Sequence, residues 1–214
     1  TTSPVADFMR PNVWPNTPDI LTAYLQHGGR NACAIRFILA ATLCASYGFY
    51  GPPLELAEVT PREPGSEEYL DSEKYQQRTW DLERPDSLRH LIGRVNQVRR
   101  THAALQHNRT LRFHATDNPS LLCYSKQSLD GRDTIVVIVN TNPYQTETGT
   151  VSLHLRGLGI DPEKPYAVHD LLTDARYTWD GHDNFVILNP RDLPAHILAV
   201  HHDDRTEADF EYYY

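Results

Sequence analysis

Apolar positions along the chain recur at two spacings, and the change falls near residues 102–109. Before it they return every three or four positions, the repeat of a helix face; after it they alternate or run in short blocks between turn formers. Residues 10–14 read as a short strand, followed by Asn16-Thr17-Pro18-Asp19. Thr17 fits a helix N-cap, Pro18 the first helical position and Asp19 the first turn, where negative charge is favoured. That helix runs through Ile20, Leu21, Tyr24 and Leu25 and stops at Gly28-Gly29. Residues 30–44 predict a second helix, apolar around so much of its circumference that it is mostly buried. Residues 46–50 read as a short buried strand ending at Gly51-Pro52-Pro53. Residues 85–104 predict a third helix, capped by Asp86 or Ser87. Leu88, Leu91, Ile92, Val95 and Val98 form its apolar face, with Arg94, Arg99 and Arg100 opposite.

Residues 51–84 lie between these helices and show little periodicity. A segment of this length inside a compact chain is functional or disordered. Its mixture of Pro, Glu and aromatic residues favours a functional loop.

The second half predicts eight strands: residues 110–114, 121–125, 134–139, 148–155, 166–170, 176–179, 185–188 and 195–200. Turn formers such as Asp130-Gly131, Asp180-Gly181 and Asn189-Pro190 separate them. This spacing predicts an antiparallel sandwich or sheet. The acidic segment from residue 202 to the three final tyrosines predicts a disordered tail.

The first half cannot cover itself. Two short parallel strands and a buried helix need neighbouring strands and helices, so this half reads as cut from a larger α/β unit. The faces bearing Ile35, Phe37, Ile38 and Leu39 are accordingly expected to stay uncovered, leaving an isolated chain poorly stable.

Charge narrows the function. The 214 residues carry a formal net charge of −8, which argues against a nucleic-acid partner, since phosphate affinity needs a clustered basic face. It also argues against an anionic membrane surface and suits neutral partners such as sugars. No run of eighteen apolar residues offers a transmembrane helix. Cys33 and Cys44 fall in one predicted helix, roughly 16 Å apart at 1.5 Å per residue, too far to bridge. With Cys123 they read as free buried thiols of a cytoplasmic protein. His27, His90, His102, His107 and His114 show no metal-ligand spacing, and His201-His202 reads as surface.

At residues 10–21, Arg-Pro-Asn-Val-Trp-Pro-Asn-Thr-Pro-Asp-Ile-Leu, the sequence resembles the α-1,4-glucan:maltose-1-phosphate maltosyltransferases, a subgroup of glycoside hydrolase family 13. The resemblance continues through residues 39–43 and 47–52. It is strongest at residues 62–75, Arg-Glu-Pro-Gly-Ser-Glu-Glu-Tyr-Leu-Asp-Ser-Glu-Lys-Tyr, and resumes at residues 114–118 and 194–197. The resemblance implies the C-terminal part of a (β/α)8 barrel, strands seven and eight with their helices, followed by an antiparallel β-sandwich. Residues 1–105 would belong to the barrel, 106–201 to the sandwich and 202–214 to the tail. The implied partners are α-maltose 1-phosphate and an α-1,4-glucan acceptor, with no cofactor and a homodimer of the full-length protein.

Retaining glycosyl transfer requires a carboxylate nucleophile and a carboxylic acid about 5 Å apart. In the family both come from earlier barrel strands, and a third Asp follows strand seven. Asp19 matches that third carboxylate, which stabilises positive charge developing at the anomeric carbon. Pro18 stands where most of the wider family has His, which is the maltosyltransferase form. Lys74 and Tyr75 match residues that hydrogen-bond the donor sugar, and Asn16 is a candidate for shaping the pocket. The nucleophile motif has no counterpart: in Gly131-Arg132-Asp133 the Arg directly precedes the Asp, and Asp130-Gly131 reads as a hairpin turn. The general acid is missing too, so the chain alone is expected to be inactive. The competing readings are a non-catalytic glucan-binding module, with Tyr166, Tyr177 and Trp179 as stacking aromatics, and another family-13 activity such as trehalose synthesis.

Overall fold

The computed structural model describes residues 4–201; the predicted acidic tail lies outside the described residues. Two short strands, β1 (Asn12–Val13) and β2 (Ser46–Tyr47), pair in parallel, with Asn12 opposite Ser46 and Val13 opposite Tyr47. Between them runs helix α1 (Ala23–Leu43). After β2 come a five-residue helix α2 (Gly51–Glu55) and helix α3 (Arg89–Thr101).

The β1–β2 pairing is tight because Gly48 faces the Trp14 indole. A Cβ at Gly48 would lie 2.4 Å from Trp14 Cζ2. The predicted stop at Gly28-Gly29 is present as a break inside α1, where Gly29 takes φ 57° and ψ −142°, a conformation that costs other residues strain.

The start of α1 differs from the expectation. Thr17 N donates to Ile20 O at 3.3 Å and Ile20 N to Thr17 O at 3.2 Å, so residues 17–20 form a closed turn and the helix waits until Ala23. Pro at the second turn position wins over Pro at the first helical position. Asp19 therefore sits on a turn tip rather than in a helix. Likewise Gly51-Pro52-Pro53, read as a loop start, opens α2, because prolines are tolerated in a first helical turn.

The eight predicted strands are all present, as β3 (Arg112–Thr116), β4 (Leu121–Gln127), β5 (Thr134–Asn140), β6 (Glu147–Ser152), β7 (Tyr166–Asp170), β8 (Arg176–Trp179), β9 (Asp183–Leu188) and β10 (Ala195–His201). Their order is β8-β7-β10-β5-β4-β3-β6-β9, every pairing antiparallel. β3 joins two ladders: Arg112–His114 pairs with β4, while Ala115 and Thr116 pair with β6.

Alternation along the central strands divides their side chains between two cores. Ile135, Val137 and Val139 of β5 and Ala195 and Ile197 of β10 join α1 and α3 in the first core. Val136, Ile138, Leu198 and Val200 point the other way, into a second core with Val151, Val186 and Leu188. This corrects the expected uncovered faces: Ile35, Phe37 and Ile38 are fully buried, because α3 and one face of the sheet cover them. Leu39 is half-buried.

The three cysteines are free and buried, as expected. No described helix is long and apolar enough to cross a membrane.

Candidate functional site

The loops that leave the C-terminal ends of β1 and β2 are tied together by Asn16. Its side-chain Nδ2 donates to Tyr50 O at 3.1 Å and to the Tyr69 hydroxyl at 2.9 Å, and its Oδ1 accepts from Tyr50 N at 3.0 Å. Asn16 is only 2 % exposed and its amide is spent inside the protein. Asn16 thereby organises the two loops from within. Tyr69 stands edge-on to Tyr50 at 5.7 Å, and burial lifts its hydroxyl to about 12 despite the Asn16 bond.

Beyond α2, the segment read as aperiodic over residues 51–84 is pinned at several points. Arg62 N donates to Glu68 O, Leu70 N to Thr60 O, and Leu21 N to Glu67 O at 2.6 Å. The segment is thereby drawn across the turn that carries Asp19. Lys74 Nζ meets Asp19 Oδ1 at 2.9 Å, joining residues 55 positions apart. The Asp19 hydrogen bond, followed by one with Tyr75, holds the Lys74 ammonium above its ordinary pKa. Lys74 Nζ also lies 5.3 Å from the centroid of the Tyr75 ring.

Three of the four sequence-predicted residues thus converge: Asp19, Lys74 and Tyr75 share one surface. The Asp19 and Lys74 side chains remain 63 % and 47 % exposed and Tyr75 65 %, so all three are open to a ligand. An anionic acceptor, a cationic donor and an aromatic face side by side suit the hydroxyls and apolar face of a sugar ring. Tyr75 further lines a cavity of about 330 Å³ with Arg62, Asp71 and Gln76.

Glu73 was missed in the sequence, submerged in the acidic run from Glu67. It accepts from the Tyr50 hydroxyl at 2.6 Å and from Trp80 Nε1 at 2.8 Å. These two bonds hold its carboxyl below the usual range. The signal available was Trp80, an indole with an N–H to satisfy, in an otherwise polar stretch.

The Gly131-Arg132-Asp133 lookalike is structural. Gly131 takes φ 74° in the turn after β4, and Asp133 accepts from His102 Nδ1 at 2.8 Å and Ala104 N at 2.9 Å. The aromatics suggested for a glucan-binding module are partly withdrawn. Tyr166 is buried and packs edge-on against Trp179 at 6.3 Å, while Tyr177 is 42 % exposed.

The family described as "GLGE, C-terminal" matches residues 113–200. The chain is 46 % identical over 203 residues to the α-1,4-glucan:maltose-1-phosphate maltosyltransferase of Methylacidiphilum infernorum (isolate V4), covering 95 % of this chain and 30 % of that protein. The Myxococcus xanthus (strain DK1622) protein of the same name is 45 % identical over 213 residues, covering 100 % and 32 %. The chain thus spans about a third of the length of the curated relatives it matches. Among solved structures, AmyP in complex with maltotriose gives a TM-score of 0.60 at 16 % identity, over 90 % of this chain and 41 % of that one. An α-amylase from Geobacillus thermoleovorans complexed with acarbose gives 0.56 at 14 %, over 81 % and 34 %. At such identities these neighbours establish fold alone. Along nearly its whole length, therefore, the chain is similar in sequence to the C-terminal portion of the α-1,4-glucan:maltose-1-phosphate maltosyltransferases.

Proposed function

We propose that this chain is the C-terminal part of a retaining maltosyltransferase that moves maltosyl units from α-maltose 1-phosphate to the non-reducing end of an α-1,4-glucan, in the cytoplasm and in glycogen-type synthesis. In this reading β1 and β2 are the seventh and eighth strands of a (β/α)8 barrel, residues 1–105 complete that barrel, and residues 106–201 form the β-sandwich behind it. Functional groups of such barrels stand at the C-terminal ends of the strands. The observation that carries the reading is the contact between Asp19 and Lys74, 2.9 Å apart, on loops that follow β1 and β2.

Each residue then has a role. Asp19 stabilises the positive charge that develops at the anomeric carbon. Lys74 and Tyr75 hold the donor sugar through its hydroxyls, and Lys74 keeps the Asp19 carboxylate aimed. Asn16 shapes the pocket from beneath. The nucleophile and general acid lie outside this chain, so Asp19 has no partner here for displacing phosphate. The full-length protein would act as a homodimer.

Incubating the 214-residue chain with α-maltose 1-phosphate and maltohexaose tests the division of labour. No phosphate release above background is expected. Release that disappears in Asp19→Ala would show a working site assembled from this chain alone.

A further inference from the structure

Glu73 immediately precedes Lys74, and its carboxylate is gripped from two sides. Tyr50, which follows β2, donates its hydroxyl at 2.6 Å, and Trp80 donates its indole N–H at 2.8 Å. Both donors are themselves fixed. Tyr50 is held through its backbone by the Asn16 amide. The Trp80 ring is stacked by the Arg78 guanidinium at 4.0 Å, and Arg78 lies 3.8 Å from Glu58. Arg84 approaches the same Glu58 at 3.5 Å. A carboxylate that accepts two well-placed hydrogen bonds is a strong local anchor. The only covalent link needed to carry that anchoring onward is the peptide bond to Lys74.

We propose that Glu73 is the positioning residue of this site: by accepting from Tyr50 and Trp80 at once, it locks the segment bearing Lys74 against the end of β2, so that the lysine meets Asp19. This deepens the functional reading and rests on it for the role of Lys74, but its test needs no sugar donor. Glu73 touches no substrate in this scheme. It sets where the Lys74 ammonium stands.

The chain contains three lysines, which makes the test direct: Lys74, Lys126 and Lys164. Lys126 is buried, and Lys164 is a surface residue 3.6 Å from Asp161. Acetylation of the 214-residue chain with limiting N-hydroxysuccinimidyl acetate, read by peptide mass spectrometry, gives the labelling of Lys74 relative to Lys164. Asp19→Asn removes the direct partner and sets the full effect, a rise of roughly threefold, the free energy of an exposed ion pair expressed as a ratio. Glu73→Ala is expected to reproduce most of that rise, and Glu73→Gln, which keeps one acceptor oxygen, a smaller part. Lys126 must stay unlabelled throughout, which separates loss of position from loss of fold. If Glu73→Ala exposes Lys126, the Gln variant carries the decision. A ratio unchanged by both Glu73 variants while Asp19→Asn raises it overturns the proposal alone. A ratio unchanged by Asp19→Asn as well removes the Asp19–Lys74 contact and overturns the functional reading with it.

Discussion

The Arg99 guanidinium lies 4.7 Å over the Tyr47 ring, and from that position its nitrogens reach the chain leaving α1. They donate to Ala41 O, to Cys44 O at 3.1 Å and to Ala45 O at 2.8 Å. A helix end leaves carbonyls without intrahelical partners, and here one side chain of α3 satisfies them while stacking on β2. Arg99→Met should cost about 2–4 kcal/mol, because buried carbonyls are left unpaired. Denaturant unfolding of the variant checks this, and a cost near zero would mean that water replaces the guanidinium.

Lys126 presents the opposite case, a charge with little to hold it. It is 1 % exposed, and its Nζ reaches Thr42 O only at 3.5 Å. Burial, reinforced by repulsion from Arg99, depresses its pKa to about 8. The unfolded value is near 10.4, so between those pH values the unfolded chain binds more protons and stability rises with pH. Lys126→Met should raise stability at pH 7 by about 1–3 kcal/mol. Its stability should also lose the increment that the wild type gains above pH 8. Parallel urea titrations of the two proteins across that range measure the difference.

Asp170, fully buried, accepts from His196 Nδ1 at 2.9 Å, Leu172 N at 3.1 Å and Thr173 Oγ1 at 2.9 Å. Burial alone would raise its pKa, but these bonds outweigh it and the folded value lies below normal. A depressed carboxyl contributes stability that is complete above the unfolded pKa of about 3.9 and is lost as pH falls through the folded value. Asp170→Asn should cost about 2 kcal/mol or more at neutral pH. It should also flatten the loss of stability on acidification below about pH 4. Thermal melts of both proteins across the acid range decide it.

The second half was legible because its signals are local. The unbroken apolar run at residues 134–139 and the Asp130-Gly131 turn specify a buried β5 and its hairpin without reference to the rest. The turn at Thr17–Ile20 was not legible, because Pro18 suits a helix start and a turn equally, and the bond from Leu21 N to Glu67 O that accompanies the turn comes from a distant segment. The burial of Phe37 was missed for a related reason. Its cover comes from β5 and β10, roughly a hundred residues or more away, and no periodicity announces which sheet face meets which helix. Of the site, Asp19, Lys74 and Tyr75 were found through resemblance and brought together by the fold. Glu73 was invisible because a glutamate in an acidic run carries no mark of the two donors it faces.

The proposed role of Asp19 lies in a maltosyl-transfer site completed by groups outside this chain. It is tested most directly by replacing the matching segment of the Methylacidiphilum infernorum relative with this chain, 46 % identical over 203 residues, and measuring phosphate release from α-maltose 1-phosphate. The chimera should release phosphate when maltohexaose is present. Asp19→Asn should lower the rate by about 10²-fold or more, the scale for removing a group that stabilises transition-state charge. A chimera that transfers maltose equally well with Asn at position 19 would contradict the account.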